Sequence, residues 1–232
     1  FVIDNNENIY FTVVNYFQPN ITILTQQFSP ANQQTSHLVK TDTSFIIKDI
    51  AYGYQNGCLA NLTSSGNRLF SGGRNVGGAI FDFDTTTGSS TFGIFHVYEI
   101  DTNLNLLWSS KPSVQTINPN YTNFYPAASQ NHVFTAYQNR GTTTWDSASI
   151  ITPANKADMV MLQFKASDGT CVAAHKASGN ISNTYDEVKD IKTDPQGNAF
   201  MFGNFTQSIG VPGDSVYSLG GANSPDYFIL KW

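Results

Sequence analysis

The sequence predicts an all-β chain, a β-propeller-like array of about four four-stranded antiparallel blades. Three observations lead there. A short turn followed by an apolar strand recurs four times, a second strand motif recurs between those copies, and helical periodicity is nearly absent. Self-similarity at a fixed period marks repeat architectures, in which each unit buries its faces only against its neighbours.

The first motif is clearest near the end of the chain, where Ile191 to Gly203 reads Ile-Lys-Thr-Asp-Pro-Gln-Gly-Asn-Ala-Phe-Met-Phe-Gly. Its counterparts run from Asp4 to Val13, from Thr63 to Gly72 and, more weakly, from Ala127 to Ala136. Each places an Asn at the repeat turn, then apolar and aromatic residues, then a small residue. These turn residues, Asn8, Asn67, Asn131 and Asn198, lie 59, 64 and 67 positions apart. Asn and Gly suit tight turns because both tolerate positive φ.

In the second motif, Asp158-Met-Val-Met-Leu-Gln-Phe164 is matched position for position by Asp226-Tyr-Phe-Ile-Leu-Lys-Trp232. Ile23 to Phe28 and His96 to Ile100 continue this theme. Three strands ending in lysine follow: Thr35 to Lys40, Leu106 to Lys111 and Cys171 to Lys176. The flanking runs are β-branched and aromatic with rough alternation, which specifies strands. Each unit thus supplies four strands, the sheet of one propeller blade.

One domain over residues 1–232 is expected, with repeat units at about 1–44, 45–115, 116–180 and 181–232. These units exceed a lean blade of roughly 40–45 residues. The excess falls in polar, Gly-rich stretches, Gly72 to Gly93 and Gln207 to Ser224. They are expected as long surface loops, the usual carriers of binding.

The pattern Ile-x-x-Asp-x-x-Gly-Asn-x-aromatic-x-x-Gly, then Asp-x-Phe-Ile-x-Lys and a Trp-x-x-Lys strand, resembles the SBBP-type β-propeller repeat of bacterial secreted and surface proteins. Here Ile191 to Gly203, Asp226 to Trp232 and Leu106 to Lys111 carry it. The resemblance covers nearly the whole chain and implies a fold and an extracellular setting, not a reaction. Two departures stand out. The turn at Asn131 lacks its Gly, and only two copies keep the Asp of the second motif.

Composition narrows the function. Charged residues make up 12% of the chain, against about a quarter in average proteins, and the net charge is −5 with no basic block. A nucleic-acid footprint is therefore absent. No apolar run reaches the length of a membrane-spanning helix. A weakly ionic surface rich in amides and hydroxyls suits an extracellular or cell-surface location. The chain opens on Phe1, as expected of a processed chain or of a segment of a longer one. The fourth repeat is expected to lack its lysine-ending strand. Either the rest of a longer propeller or a neighbouring subunit, by strand addition, would then complete it.

Cys58 and Cys171 are open to two readings, a disulfide or two buried thiols. Five Asn-x-Ser/Thr sequons, at Asn20, Asn61, Asn120, Asn180 and Asn204, are glycosylation candidates, in a number that random order also produces. No nucleophile elbow, zinc motif, P-loop or dinucleotide fingerprint occurs. His37, His96, His132 and His175 are assigned to different repeat positions, which argues against a metal set. Asp82 and Asp84 alternate ahead of a Thr-rich loop and are the one Ca²⁺ candidate, though their spacing misses the EF-hand pattern. No catalytic residue and no cofactor are expected.

The function expected is a non-enzymatic extracellular structural or adhesive module, such as a subunit of a surface filament. Its partners would be copies of itself or the rest of a longer chain. A glycan-binding, lectin-like propeller is the alternative, and a propeller hydrolase or lyase ranks below it.

Overall fold

The structure is a computed structural model that describes residues 1–15, 21–24, 26–28, 35–54, 61–75, 79–81, 84–86, 94–115, 124–153, 158–179, 186–211, 214–217, 219 and 224–232. Among these residues there are strands and turns and no helix, and all strand pairings are antiparallel. The chain divides into two compact units, Phe1–Lys111 and Pro112–Trp232, each holding two of the repeated sheets.

In the first unit, Val2–Ile3, Ile9–Asn15, Thr35–Thr41 and Ile47–Tyr54 pair in chain order as one sheet. Asn61–Ser65, Arg68–Asn75, Ile94–Asp101 and Leu106–Ser110 form a second sheet of the same kind. In the second unit, the third sheet is Tyr125–Ala128, His132–Asn139, Asp158–Lys165 and Cys171–Gly179. The fourth is Glu187–Thr193, Ala199–Phe205 and Asp226–Lys231, with the last strand at its edge. The four-strand meander expected of each repeat is therefore complete in three sheets, and three-stranded among the described residues in the fourth.

The first repeat is organised differently from the expectation. Thr35–Thr41 is its third strand, and Ile47–Tyr54, assigned from sequence to the second repeat, is its fourth. The boundary expected at residue 44 therefore moves past Tyr54. The run Ile23 to Phe28, expected as the third strand, instead contributes to a separate hairpin, Ile21–Ile23 with Gln26–Phe28. Leu24 at φ 54° turns the chain there, so one apolar run becomes two short strands.

The long insertions are not plain loops. Between the second and third strands of each repeat the chain forms a hairpin, and in the second and fourth repeats it adds to the preceding sheet. Ala79–Phe81, with Asp84–Thr86 behind it, adds to Ile47–Tyr54 through Gly53↔Phe81 and Tyr54↔Ile80. Ser208–Val211, backed by Asp214–Tyr217, adds to Cys171–Gly179 through Ser178↔Gly210 and Gly179↔Ile209. The hairpin Gly141–Trp145 with Ala148–Thr152 pairs with Val114–Gln115, which follow the fourth strand of the second sheet in the chain. The stretches expected as loops at Gly72 to Gly93 and Gln207 to Ser224 thus contain short strands that pair with the last two residues of the preceding fourth strand.

Sheet stacking follows one rule in both units. Each third strand starts opposite the last residue of the second strand: Thr35 on Asn15, Ile94 on Asn75, Asp158 on Asn139 and Asp226 on Phe205. Counting from that start, the even positions of the third sheet, Met159 and Met161, join Phe134 and Ala136 in a core with the fourth sheet. The fourth sheet answers with Ala199, Met201 and Phe228, while Leu230 and Trp232 pack at the margin. In the first unit Leu38, an even position, packs with Tyr10 and Ala51 against the odd-position residues Tyr98 and Ile100 and against Leu69. Alternation of side chains across a strand makes such a two-faced sheet stackable in one direction.

The turns repeat as well. Asp4, Asp42, Asp101 and Asp194 each open a tight turn in which the Asp N–H donates to the carbonyl four residues on. The Asp carbonyl accepts the N–H three residues on. The Oδ1 atoms of Asp4, Asp42 and Asp101 each accept two backbone N–H groups at 2.8–3.0 Å. Asn8, Asn105 and Asn198 donate Nδ2 to the second carboxylate oxygen. The fourth turn residue takes positive φ in every case: Glu7, Phe45, Leu104 and Gly197. Asn8 and Asn198 therefore close the turns that the sequence assigns to them. Asn67 follows Gly66, at φ 62°, in the hairpin between Ser65 and Arg68, and Asn131 precedes His132 in a shorter turn.

Candidate functional site

Two features stand apart from the repeated core: a buried polar cluster in the second unit, and the outward face and edge of the fourth sheet. The cluster begins where the second strand of the third sheet ends. Asn139 donates Nδ2 to Gly141 O and to Thr152 Oγ1, and accepts Thr143 Oγ1 on Oδ1. Thr152 donates onward to Asp158 Oδ2 at 2.8 Å, and Lys176 Nζ lies 3.2 Å from the same oxygen. Lys176 also donates to the Ile151 carbonyl. These bonds clamp the hairpin 141–152 onto the third sheet, where Trp145 meets Phe164 edge-on at 5.3 Å. The chemistry is that of a fastening, with each acceptor filled by a fixed donor.

Asp186, at the head of the fourth sheet, is 1% exposed. Its Oδ1 accepts the N–H and Oγ1 of Thr206, its carbonyl accepts Gln138 Nε2 at 2.6 Å, and its Oδ2 has no partner. Burial pushes its carboxyl above the ordinary carboxylate range, and the charge of Asp158 adds to the shift. Among the described residues no three His, Cys, Asp or Glu side chains converge as a metal site.

The predicted site residues are scattered. Cys171 is 1% exposed and free, its thiol raised to about 12 chiefly by burial. Cys58, the other cysteine, lies outside the described residues. Asn20, Asn120, Asn180 and Asp82 also lie outside them. Asp84 begins a strand of the hairpin that covers the first sheet. Asn61 is exposed on an edge strand. Asn204, expected near a loop, is 8% exposed inside the strand Ala199–Phe205.

The histidines differ from the assignment made for them. His37 and His96 occupy the same third position of their strands, opposite Val13 and Gly73 of the second strands. His37 meets Tyr52 edge-on, and His96 stacks on Tyr98. Burial, with Lys111 nearby, drives His96 down to about 3, so it is a neutral core residue at ordinary pH. His132 tilts against Phe134, and His175 against Trp232.

The outward face of the fourth sheet carries no motif that singles it out in the sequence. Its even positions, Tyr227 and Ile229, are 70% and 69% exposed, and Phe202 is 38% exposed beside them. Phe202 and Tyr227 stack at 5.7 Å, and Lys231 lies over the Phe200 ring at 5.5 Å. Tyr227 and Ile229 correspond by register to Met159 and Met161, and Phe202 to Ala136. On the third sheet those positions are buried against a neighbour. On the fourth sheet the equivalent face is open, next to an edge strand. A signal for it does exist in the match of Asp158–Phe164 with Asp226–Trp232, which fixes the equivalent positions by residue pattern alone.

Comparison with family models found no match to the chain, and no curated protein matches it. No helix among the described residues is long and apolar enough to cross a membrane.

Proposed function

We propose that the chain is a non-enzymatic extracellular structural or adhesive module of β-propeller type, which works by docking repeated sheets onto one another. The observation that carries this reading is the exposed face of Phe202, Tyr227 and Ile229, whose counterparts on the third sheet are buried against a following sheet. An exposed apolar patch of this kind marks an interaction surface. The polar clusters support the same reading, since their hydrogen bonds fasten hairpins and turns in place. The resemblance to the SBBP-type repeat agrees with a surface-assembly role.

Sedimentation of the purified chain over a wide concentration range, with electron microscopy of the same samples, tests this. Concentration-dependent assembly is expected. A strict monomer that binds immobilised glycans saturably would overturn the structural reading in favour of the lectin-like one.

A further inference from the structure

Asp186 is a buried acid whose surroundings satisfy only half of its carboxylate. It directly precedes the first strand of the fourth sheet, Glu187–Thr193, and is 1% exposed. Its Oδ1 is held by the N–H and the hydroxyl of Thr206, at 2.8 and 3.2 Å, just past the end of Ala199–Phe205. Its Oδ2 is enclosed as well and meets no donor. Leaving a buried charged oxygen without a partner is costly, and proteins meet that cost with an opposite charge or a metal ion. The neighbouring groups are of the kind that gathers a cation. Gln138 donates Nε2 to the Asp186 carbonyl at 2.6 Å, which fixes its amide against the acid, with Oε1 on the same planar group. Gln138 stands opposite Met159, next to Asp158, which is itself 1% exposed. The charge of Asp158 acts on Asp186 and repels it. Lys176, at 3.2 Å from Asp158, balances one of these two charges. Among the described residues no cation is paired with the other.

We infer that Asp186 anchors a cation site at this end of the third and fourth sheets, and that Ca²⁺ is the ion its oxygens suit. Oδ2 of Asp186 is the charged ligand and Oε1 of Gln138 a neutral one. Asp158 supplies a second negative charge, and water completes the shell. Only two acids take part, so the place is not marked by three converging His, Cys, Asp or Glu side chains. The donor set is oxygen alone, without thiolate or imidazole, which favours a hard ion over zinc or copper. A mixed set of carboxylate, amide and water oxygens suits the loose coordination of Ca²⁺ better than the strict octahedron of Mg²⁺. Asp84, the Ca²⁺ candidate of the sequence, belongs to the first unit and has no part in this set. Gln138 and Asp158 lie on the third sheet, and Asp186 and Thr206 flank strands of the fourth. The ion therefore ties one sheet to the next, and its concentration sets how firmly that joint holds.

The intact chain, stripped with chelator and dialysed, is titrated calorimetrically with CaCl₂ to about 10 mM, beyond the range of weak extracellular Ca²⁺ modules. Saturable binding is expected, with a thermal midpoint that rises with free Ca²⁺. Hydrogen exchange is expected to slow at the Thr206 amide, which donates to the same carboxylate. Asp186→Asn is expected to weaken Ca²⁺ binding by about tenfold or more, since it removes the charged ligand. It also reverses an order of stability. At about pH 8 without Ca²⁺ the Asn variant is expected to be the more stable protein, and with saturating Ca²⁺ the less stable. Asp158→Asn keeps an acceptor for Thr152 and serves as the second variant, with a smaller loss of binding expected. Absence of binding up to about 10 mM would overturn the inference, the enclosed oxygen then being met by a proton or a water molecule. Equal binding by either folded variant would also overturn it, because the ion would then sit elsewhere on the chain.

Discussion

Phe202 and Tyr227 stack on adjacent strands with ring centroids 5.7 Å apart and planes only 7° from parallel. Tyr227 presents most of its surface to solvent while Phe228, the next residue, is buried in the core with Met201 and Val188. The strand thus has one face inside the protein and an equally apolar face outside.

A charge on that outer face separates assembly from folding. Tyr227→Glu combined with Ile229→Glu is expected to abolish concentration-dependent assembly. Stability to denaturant should stay within about 0.5 kcal/mol per exposed site. Sedimentation and urea unfolding of the same sample check both halves.

The Asp turns give a pH signature. The four Asp4 contacts, from Asn6 N, Asn8 N, Asn8 Nδ2 and Tyr10 Oη, favour the carboxylate and outweigh its desolvation, so its pKa is lowered. The Asp101 pKa is lowered in the same way by Asn103 and Asn105. A lowered carboxylate pKa contributes stability that is present above the ordinary Asp value and lost as pH falls through the folded value. Asp4→Ala is expected to cost roughly 1–3 kcal/mol at neutral pH and to flatten that acid limb, as read by denaturation between neutral pH and about pH 3.

Glu7 holds the left-handed position that Gly197 fills in the equivalent turn. Glu7→Gly is expected to stabilise the first unit by about 0.5–1 kcal/mol, the side-chain strain being larger than the added chain entropy. A fall in thermal midpoint would show that the Glu7 side chain makes a compensating contact.

Asp186 gives the opposite sign. Its raised pKa means that burial of the charge destabilises the fold above the folded pKa, a deficit that shrinks as pH falls through it. Asp186→Asn keeps an acceptor for Thr206 and is expected to raise stability by on the order of 1 kcal/mol near pH 8, with a smaller gain in acid. Denaturation at two pH values checks it. Loss of stability at the higher pH would mean that a cation partners the carboxylate.

Gly203 sits where no side chain fits. A Cβ there would lie 2.4 Å from the Glu187 carbonyl and 2.5 Å from the Phe228 ring. Gly203→Ala is therefore expected to destabilise the fourth sheet by roughly 1–3 kcal/mol, the cost of overpacking a close approach, and to speed exchange of the Ala199–Phe205 amides.

Much of the fold is legible in the sequence because period-two patterning and Asn turns are local signals. The match between Asp158–Phe164 and Asp226–Trp232 identifies true third strands, and Lys111 and Lys176 mark true fourth strands. The first repeat misleads because its lysine, Lys40, lies on a third strand, where it reaches the Thr102 carbonyl. Its fourth strand places Tyr52 opposite His37 instead. The insertion hairpins escape sequence reading for another reason. Thr142 to Thr144 are polar, and Ser208 to Gly210 hold a single apolar residue, Ile209, so neither shows the period-two apolar pattern of a strand, yet each pairs with an earlier strand. The outer face of the fourth sheet escapes likewise, since the same apolar alternation serves a buried face in one sheet and an open one in another.

The hairpins that pair backwards have a consequence for how the chain comes together during synthesis. Cys171–Gly179 leaves the ribosome well before Ser208–Tyr217, so the end of that strand, Ser178 and Gly179, waits unpaired until residues belonging to the next repeat arrive. The same delay separates Ile47–Tyr54 from Ala79–Thr86. Nascent repeats are thus sewn together in overlapping stitches, and a deletion inside one of these hairpins would damage two sheets at once.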